Sequence, residues 1–269
     1  MYRARFGLTS HPFPQDVQGA KCSPTPSFTK LARRFGLLIE EPGLGLLTAE
    51  SGLGKTSAMR NLCSSLPRPD HLVIYLCDTA VSPLELYRSL AIELGLKPSH
   101  RRGALWAELK AALVHKVDEQ GVRPLLILDE AQHLSDRFLA DLSGFLNFAM
   151  DSRNLLTIWL VGQPALAATL RYQRHASLAS RVAARVHLEP LTHRADFDAF
   201  LAHGLKAAGA TQTVFTDTTL ELLFRASRGV PRRISRLVRE ALVLAHERDK
   251  AFVDDAILEA ILDEEEQLV

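Results

Sequence analysis

The sequence predicts an α/β fold, in which helices flank a five-stranded parallel sheet, followed by a C-terminal helical subdomain. Two observations support this prediction. Short apolar runs alternate with amphipathic stretches as far as Leu188, and after Pro190 only helical periodicity remains. Such alternation gives parallel strands joined by crossover helices on both faces of the sheet. We therefore expect an N-terminal arm and helix over residues 1–40, an α/β domain over residues 41–191 and a helical lid over residues 192–269.

The N-terminal region is predicted to be an extended basic arm that leads into a helix at residues 28–40. Residues 1–30 contain four prolines, which favour turns over regular structure. Up to Ile39 the chain carries six basic residues and a single acid, Asp16. The arm is therefore suited to contact an acidic partner.

The remaining elements follow from hydrophobic periodicity. Five apolar runs are predicted to be strands, at residues 44–49, 71–77, 125–128, 155–161 and 185–188. Helices are predicted between them, at residues 56–66, 83–94, 103–119 and 140–150. The C-terminal subdomain is predicted to contain helices at residues 192–208, 216–228, 231–248 and 254–266.

The composition excludes several classes of protein. The 32 basic and 31 acidic residues nearly cancel, so any nucleic-acid site must be a local patch. Cys22, Cys63 and Cys77 lack metal-ligand spacing, and we expect them to be reduced thiols. The longest strongly apolar run, residues 155–161, is far shorter than the roughly 18 residues that a membrane span needs. We expect a soluble, cytoplasmic protein without membrane insertion.

A glycine-rich loop follows the first predicted strand and precedes a predicted helix. In such loops the backbone N–H groups wrap phosphate oxygens, and the positive N-terminus of the helix points at them. Lys55 is expected to neutralise the β- and γ-phosphates, and the Thr56 hydroxyl to bind Mg²⁺. The motif usually begins with glycine where this chain has Ala49, but its other required residues are present. The predicted cofactor-binding residues of the loop are Ser51, Gly52, Leu53, Gly54, Lys55, Thr56 and Ser57.

Two adjacent acids, Asp129 and Glu130, follow the buried third strand. The first is suited to hold hydrated Mg²⁺, and the second to orient and polarise a water molecule. An acidic pair in this position could also cap a helix. Because it comes after a phosphate-binding loop, with one strand between them, the pair favours ATP hydrolysis.

Two further sites carry alternative interpretations. Gln163 follows the fourth strand, at the sheet edge where ligands bind, and is either a γ-phosphate sensor or a turn residue. Four arginines precede the end of the fifth strand, and one of them would complete the site of a neighbouring subunit. Arg181 is the first candidate and Arg185 the second. The alternative is a solvated or phosphate-binding basic face made by Arg171, Arg174, Arg181 and Arg185.

A Gly-Val-Pro-Arg segment starts a helix in the C-terminal subdomain. Arg232 would lie at the helix N-terminus, where a cation is unfavourable for the helix dipole. This cost suggests a bound phosphate as its partner. Arg233, Arg236 and Arg239 follow at helical spacing, as either a DNA-facing stripe or a solvated face.

Together, these motifs resemble the AAA+ ATPases of the ExeA/GspA type, and the resemblance covers nearly the whole chain. It implies the P-loop NTPase (AAA+) fold, ATP and Mg²⁺ as cofactors, and roles for Gln163 as γ-phosphate sensor, Arg181 as inter-subunit arginine and Arg232 as second sensor. The segments that carry it are residues 6–8, 12–13, 51–56, 129–132, 146–147, 162–166, 178–182 and 229–232.

The resemblance implies two possible roles. Some members assist assembly of a secretion or export system, and others, such as TnsC, TniB and MuB, are transposition helpers. The helpers bind DNA with ATP, form rings or filaments and direct a transposase. The 269-residue sequence shows no membrane span and no further domain, so we expect a transposition helper with double-stranded DNA, a transposase and copies of itself as partners. Its DNA-contacting candidates are Arg101, Arg102, Arg233, Arg236 and Arg239.

Two other functions were considered. A helicase is disfavoured because it needs two RecA-like domains, and this chain has room for one and a lid. A scaffold that binds ATP but barely hydrolyses it would be separated from an ATPase by turnover measured with and without DNA.

Overall fold

A computed structural model describes residues 2–14, 23 and 25–267. The chain divides into two compact units. The α/β unit comprises residues 29–50 and 58–188, and the helical unit comprises residues 51–57 and 189–267 together with the described residues before residue 29. Lys21 and Cys22, which belong to the predicted arm, lie outside the described residues.

The α/β unit is built on the predicted sheet. The strands are β1 (Leu44–Thr48), β2 (His71–Leu76), β3 (Arg123–Leu128), β4 (Thr157–Gly162) and β5 (Val182–His187). They pair in the order β2-β3-β4-β1-β5, and every pairing is parallel. The prediction of a five-stranded parallel sheet is confirmed. Because the strands are parallel, their carboxyl ends share one edge, where Leu128 pairs with Leu160 and Thr48 pairs with Gly162.

Helices surround this sheet and complete its core. They are α2 (Pro26–Glu40), α3 (Lys55–Ser64), α4 (Pro83–Glu93), α5 (Arg102–Asp118), α6 (Asp136–Phe145), α7 (Pro164–Thr169) and α8 (Ala176–Ser180). Trp159 on β4 is fully buried beside Gly45 on β1. A Cβ atom at Gly45 would lie 2.6 Å from the indole ring, so only glycine lets the tryptophan pack there.

The region after β3 differs from the prediction. The helix predicted at residues 140–150 is α6 (Asp136–Phe145), which starts earlier because the Ser135 hydroxyl accepts a hydrogen bond from Phe138 N. It cannot reach Met150, because residues 149–151 have positive φ angles. Short α7 and α8 were not predicted, since their few residues carry little periodic signal.

The helical unit contains α1 (Tyr2–Arg5), α9 (Arg194–Ala207), α10 (Asp217–Ser227), α11 (Pro231–Glu247) and α12 (Asp255–Gln267). The four C-terminal helices were predicted to within two residues at each end. The prediction of an extended N-terminal arm is wrong for α1, which is helical. Phe6 and Leu8 explain the difference, because both are buried in the core of the helical unit. Phe13 stacks on Phe200 with ring centroids 4.9 Å apart.

Two further findings bear on the predictions made from composition. Cys63 and Cys77 are free thiols, and Cys22 lies outside the described residues. Within the described ranges, no helix combines the length and apolar character needed to cross a membrane.

Candidate active site

The phosphate-binding loop starts at the carboxyl end of β1. Ala49 is buried and its N–H donates to the carbonyl of Gly162, which extends the pairing of β1 with β4. Gly52 and Gly54 have φ angles of +83° and +86°, in the left-handed region that side chains disfavour. The helix α3 then begins at Lys55, which is 7% exposed. The loop has the backbone conformation and the following helix that a phosphate-binding loop requires.

Arg232 lies against this loop. Pro231 occupies the first turn of α11, and the Arg232 N–H donates to the Gly52 carbonyl over 3.1 Å. The Arg232 guanidinium donates from Nη1 to Ser51 Oγ over 3.4 Å. Two segments that are 181 residues apart in sequence are thus in contact within the helical unit. The structure brings the predicted second sensor to the loop that it is expected to serve.

Asp129 follows β3 and is 2% exposed. Its Oδ1 accepts a hydrogen bond from Glu130 N, and its Oδ2 accepts one from the Tyr75 hydroxyl, each over 2.9 Å. Burial, reinforced by this hydrogen bond, raises the pKa of Tyr75 well above its usual range, so the hydroxyl remains a donor. Tyr75 was not among the predicted site residues. Its only signal was a polar hydroxyl near the end of the strand adjacent to β3.

Glu130 has a left-handed backbone, with φ 50° and ψ 37°, which is uncommon for a residue with a side chain. It precedes a 3₁₀ turn at Ala131–His133. The hydroxyl of Thr79, which is 2% exposed, donates to the Glu130 carbonyl over 2.8 Å. Gln132 Nε2 donates to the Glu130 carboxylate over 2.6 Å. Backbone and carboxylate are therefore each held by a neighbouring side chain.

Gln163 follows β4 and caps the N-terminus of α7. Its backbone N–H donates to Gln132 Oε1 over 3.0 Å. Within the α/β unit the structure therefore brings together Asp129, Glu130 and Gln163, with Gln132 between the last two. No role was predicted for Gln132, although it lies in the segment at residues 129–132, and Thr79 lies between the strand predicted at residues 71–77 and the helix predicted at residues 83–94.

Arg181 ends α8 and forms a bidentate ion pair with Asp151. The two donor–acceptor distances are 2.5 and 2.8 Å, and the hydrogen bonds hold the pKa of the Asp151 carboxyl below its usual value. Arg185 donates to the carbonyl of Ala179 over 2.9 Å. Arg174 pairs with Asp136. Arg174, Arg181 and Arg185 are thus tied to the α/β unit by these contacts.

The predicted arginine stripe on α11 is interrupted. Arg233 and Arg236 both pair with Glu265 of α12, which the sequence could not show because the acid is about 30 residues away. Arg102 pairs with Asp141 over 2.8 Å and lies over the Trp106 ring. Of the five DNA-contacting candidates, Arg101 and Arg239 form no ion pair within the described part of the chain.

Comparison with known proteins agrees with this geometry. The family model described as "AAA domain" matches residues 39–170, from the end of α2 through α7. General secretion pathway protein A of Aeromonas hydrophila is 33% identical over 258 residues, which is 92% of this chain and 45% of that protein. The ATP-dependent target DNA activator B of Escherichia phage Mu is 26% identical over 234 residues, covering 84% of this chain and 67% of that protein.

The fold is also found in solved structures. The ORC2 protein of Aeropyrum pernix superposes with a TM-score of 0.67 at 18% identity, covering 97% of this chain and 71% of that one. The RuvB motor of Thermotoga maritima superposes with a TM-score of 0.57 at 16% identity, over 87% of this chain and 65% of that one. The chain spans less than half of its secretion relative. Residues 39–170 form an AAA domain, and the chain has the fold of the P-loop AAA+ proteins.

Proposed function

We propose that residues 51–57 bind the phosphates of ATP and that Asp129 and Glu130 serve the hydrolysis of its γ-phosphate. The topology of the sheet supports this assignment. The loop leaves the carboxyl end of β1, and the acidic pair leaves the carboxyl end of β3, at the same edge of one parallel sheet. Ligands of open α/β sheets bind at this edge. Lys55 would neutralise the β- and γ-phosphates, and Glu130 would polarise the attacking water.

The side chains fit Mg²⁺ as the accompanying ion. Thr56 supplies a hydroxyl oxygen and Asp129 a carboxylate, which are the hard oxygen ligands that this ion prefers. Among the described residues, no group of three or more His, Cys, Asp or Glu side chains could hold a metal. Nucleotide-bound Mg²⁺ needs few protein ligands, since phosphates and water complete its shell. When bound, the ion would neutralise charge that develops on the transferred phosphoryl group.

Three polar side chains would complete the site. Gln163 is proposed to sense the γ-phosphate, because its position at the end of β4 borders the acidic pair through Gln132. Arg232 is proposed as the second sensor, because it contacts the loop at Ser51. Arg181 is proposed to act on the nucleotide of a neighbouring subunit in a ring or filament.

We further propose that the ATP-loaded protein assembles on duplex DNA and assists transposition. The observation that carries this proposal is a basic surface on the helical unit that is free of ion pairs. Arg239 on α11 and Arg3 on α1 both act on the hydroxyl of Tyr2, where their positive charges oppose the burial that raises its pKa. Neither arginine forms an ion pair with another described residue. The similarity to a target DNA activator supports the same role.

Each subunit would contact only a few phosphates through this surface, together with Arg101 of the α/β unit. Binding by one subunit would therefore be weak and independent of base sequence. A ring or filament repeats the contact along the duplex, so assembly makes binding strong by multivalency. ATP should thus promote DNA binding by promoting assembly.

The test is duplex binding followed by fluorescence anisotropy with a non-hydrolysable ATP analogue, over a range of salt concentrations. Changing Arg3 and Arg239 together to alanine should weaken binding. It should also reduce the slope of log K against log salt by about 0.9 for each lost phosphate contact. Arg225→Ala is the control, because Arg225 is exposed and already paired with Glu221. If the assembled wild-type protein does not bind duplex DNA at low salt, the DNA function is excluded.

The second candidate function is assistance to the assembly of a secretion or export system. It is favoured by the 33% identity to general secretion pathway protein A, which exceeds the 26% identity to the DNA activator. The same titration separates the two, since this role requires no affinity for DNA. A transposase reading frame next to this one would favour the first function.

A further inference from the structure

We infer that Gln132 is a positioning residue for ATP hydrolysis, which holds the Glu130 carboxylate and couples it to the end of β4. This inference rests on the proposed role of Glu130. It concerns a side chain that would touch neither ATP nor the attacking water. The amide would act through Glu130 and through the backbone of Gln163.

The first observation is that the side-chain amide of Gln132 makes two hydrogen bonds, one through its nitrogen and one through its oxygen. Gln132 Nε2 donates to Glu130 Oε2 over 2.6 Å. Gln132 Oε1 accepts from the backbone N–H of Gln163 over 3.0 Å. Only an amide offers a donor and an acceptor in this geometry. A change in the position of Gln163 therefore moves the group that holds the Glu130 carboxylate.

The second observation is that Gly162, which has no side chain, leaves room beside the sheet for the Gln132 amide. A Cβ atom on Gly162 would lie 2.7 Å from Gln132 Oε1 and 3.2 Å from Gln132 N. Gly162 pairs in register with Thr48 of β1, so the strand cannot move away without disturbing the sheet. The Gln132 side chain occupies the space that a side chain at residue 162 would need, which explains the glycine there.

The third observation concerns the parts of Glu130 that Gln132 does not hold. Its backbone is fixed in the left-handed region by Thr79, which donates to the carbonyl, and by Asp129, which accepts from the N–H. The side chain keeps rotatable bonds beyond this fixed backbone. Gln132 Nε2 holds the Glu130 carboxylate through its Oε2 atom.

A carboxylate held through one oxygen can present the other oxygen to a water molecule in a fixed direction. Gln132 would therefore orient Glu130 toward the attacking water. Because its other end is bonded to Gln163, contact between Gln163 and a γ-phosphate would be transmitted to Glu130 through one side chain.

The experiment is steady-state ATP hydrolysis by Gln132→Ala over a range of ATP concentrations, beside nucleotide binding measured with a fluorescent analogue. We expect nucleotide affinity to stay unchanged and kcat to fall by about 10–100-fold, as for other supporting residues of this kind. The KM for ATP should also stay unchanged, because Gln132 would touch neither ATP nor the attacking water and should therefore affect kcat alone. His133→Ala, an exposed neighbour in the same 3₁₀ turn, should change none of these quantities.

Gly162→Ala provides an independent test. Its Cβ atom should displace the Gln132 amide and reproduce part of the loss. In a Gln132→Ala background the same change should cost less, because the contact with Gln132 Oε1 is gone while those with Leu166 Cδ2 at 3.1 Å and Gln132 N at 3.2 Å remain. The two changes should therefore be non-additive. Thermal unfolding of each variant checks that the fold is intact.

The inference is overturned if Gln132→Ala keeps or raises kcat, if it changes the KM for ATP as strongly as kcat, or if the two substitutions are additive. These outcomes differ from failure of the proposed function. Full turnover by Glu130→Gln would remove Glu130 from the reaction itself. Loss of turnover in Glu130→Gln with normal turnover in Gln132→Ala would reject only the positioning role.

Discussion

Glu130 and Asp151 are both carboxylate residues with a left-handed backbone, but their surroundings differ. Glu130 stands alone in that conformation and is held by Thr79, which is 2% exposed, and by Gln132. Asp151 is the last of three consecutive residues with positive φ, at 47°, 54° and 66°. Met150, in the middle, is 97% exposed. The first carboxylate is fixed by a partly buried network, and the second holds Arg181 on an exposed loop.

The different surroundings of Glu130 and Asp151 indicate which of their contacts should persist during the catalytic cycle. Hydrogen bonds in a partly buried network are screened little by salt, and breaking one leaves a polar group without a partner. An exposed ion pair is screened and exchanges readily with other anions. We therefore expect Glu130 to keep its position through the catalytic cycle. Arg181 would instead leave Asp151 when a stronger anion, such as the phosphate of a neighbouring subunit, is offered.

The largest losses of activity should come from substitutions in the hydrogen-bond network around Glu130 and in the phosphate-binding loop. Glu130→Gln should retain ATP binding and lose turnover by at least about 100-fold, because an amide cannot accept the proton of water. Lys55→Ala should abolish ATP binding, because the charge that neutralises the β- and γ-phosphates is removed. Phosphate release and nucleotide binding, measured side by side, check both. Equal hydrolysis by wild type and Glu130→Gln would contradict the assignment.

Substitutions in the exposed ion pair of Arg181 and Asp151 should change ATP turnover without changing ATP binding. Arg181→Ala should leave ATP binding intact and reduce turnover by roughly 10³–10⁵-fold, the range found for arginines that act across subunits. Wild-type hydrolysis should rise more than linearly with protein concentration. Asp151→Asn, which frees Arg181, should raise turnover several-fold at low protein concentration.

Asp118→Asn is the matched control for the exposed pair. It removes the bidentate partner of Arg153 in the same loop region but leaves the Arg181 pair in place. The comparison fails if both aspartate variants change turnover equally. A rate strictly proportional to concentration, from a protein that sediments as a monomer, would argue against action across subunits.

The smallest expected effect is a change in the free energy of unfolding when backbone strain is relieved in the exposed loop at residues 149–151. Met150→Gly should relieve a positive φ that costs a side-chain-bearing residue about 1–2 kcal/mol. The greater freedom of glycine in the unfolded chain offsets about 0.4–1 kcal/mol of this gain. We expect a net stabilisation of between about 0 and 1.6 kcal/mol in urea unfolding. Asn154→Gly, in the same loop but with an ordinary φ, should instead destabilise the protein. Destabilisation by Met150→Gly would show that the conformation is not strained.

Much of the fold was predictable because local sequence encodes it. Apolar runs located all five strands, and helical periodicity located the four C-terminal helices. The loop at residues 51–57 and the pair Asp129-Glu130 were predicted as a candidate site because strand, loop and helix follow one another directly in sequence. The helix α1 was not predicted because prolines suggest turns, whereas the burial of Phe6 and Leu8 depends on distant helices.

The sequence by itself determined the order of the chemical groups: a phosphate-binding loop after β1, an acidic pair after β3 and a polar residue after β4. Only the tertiary structure decided what holds those groups. Tyr75 reaches Asp129 because β2 and β3 pair in register, and Gln132 reaches Gln163 because β3 and β4 are neighbours. Glu265 pairs with Arg233 and Arg236 because α12 packs on α11. Side-chain partners depend on strand register and helix packing, which join residues too far apart for local periodicity to encode.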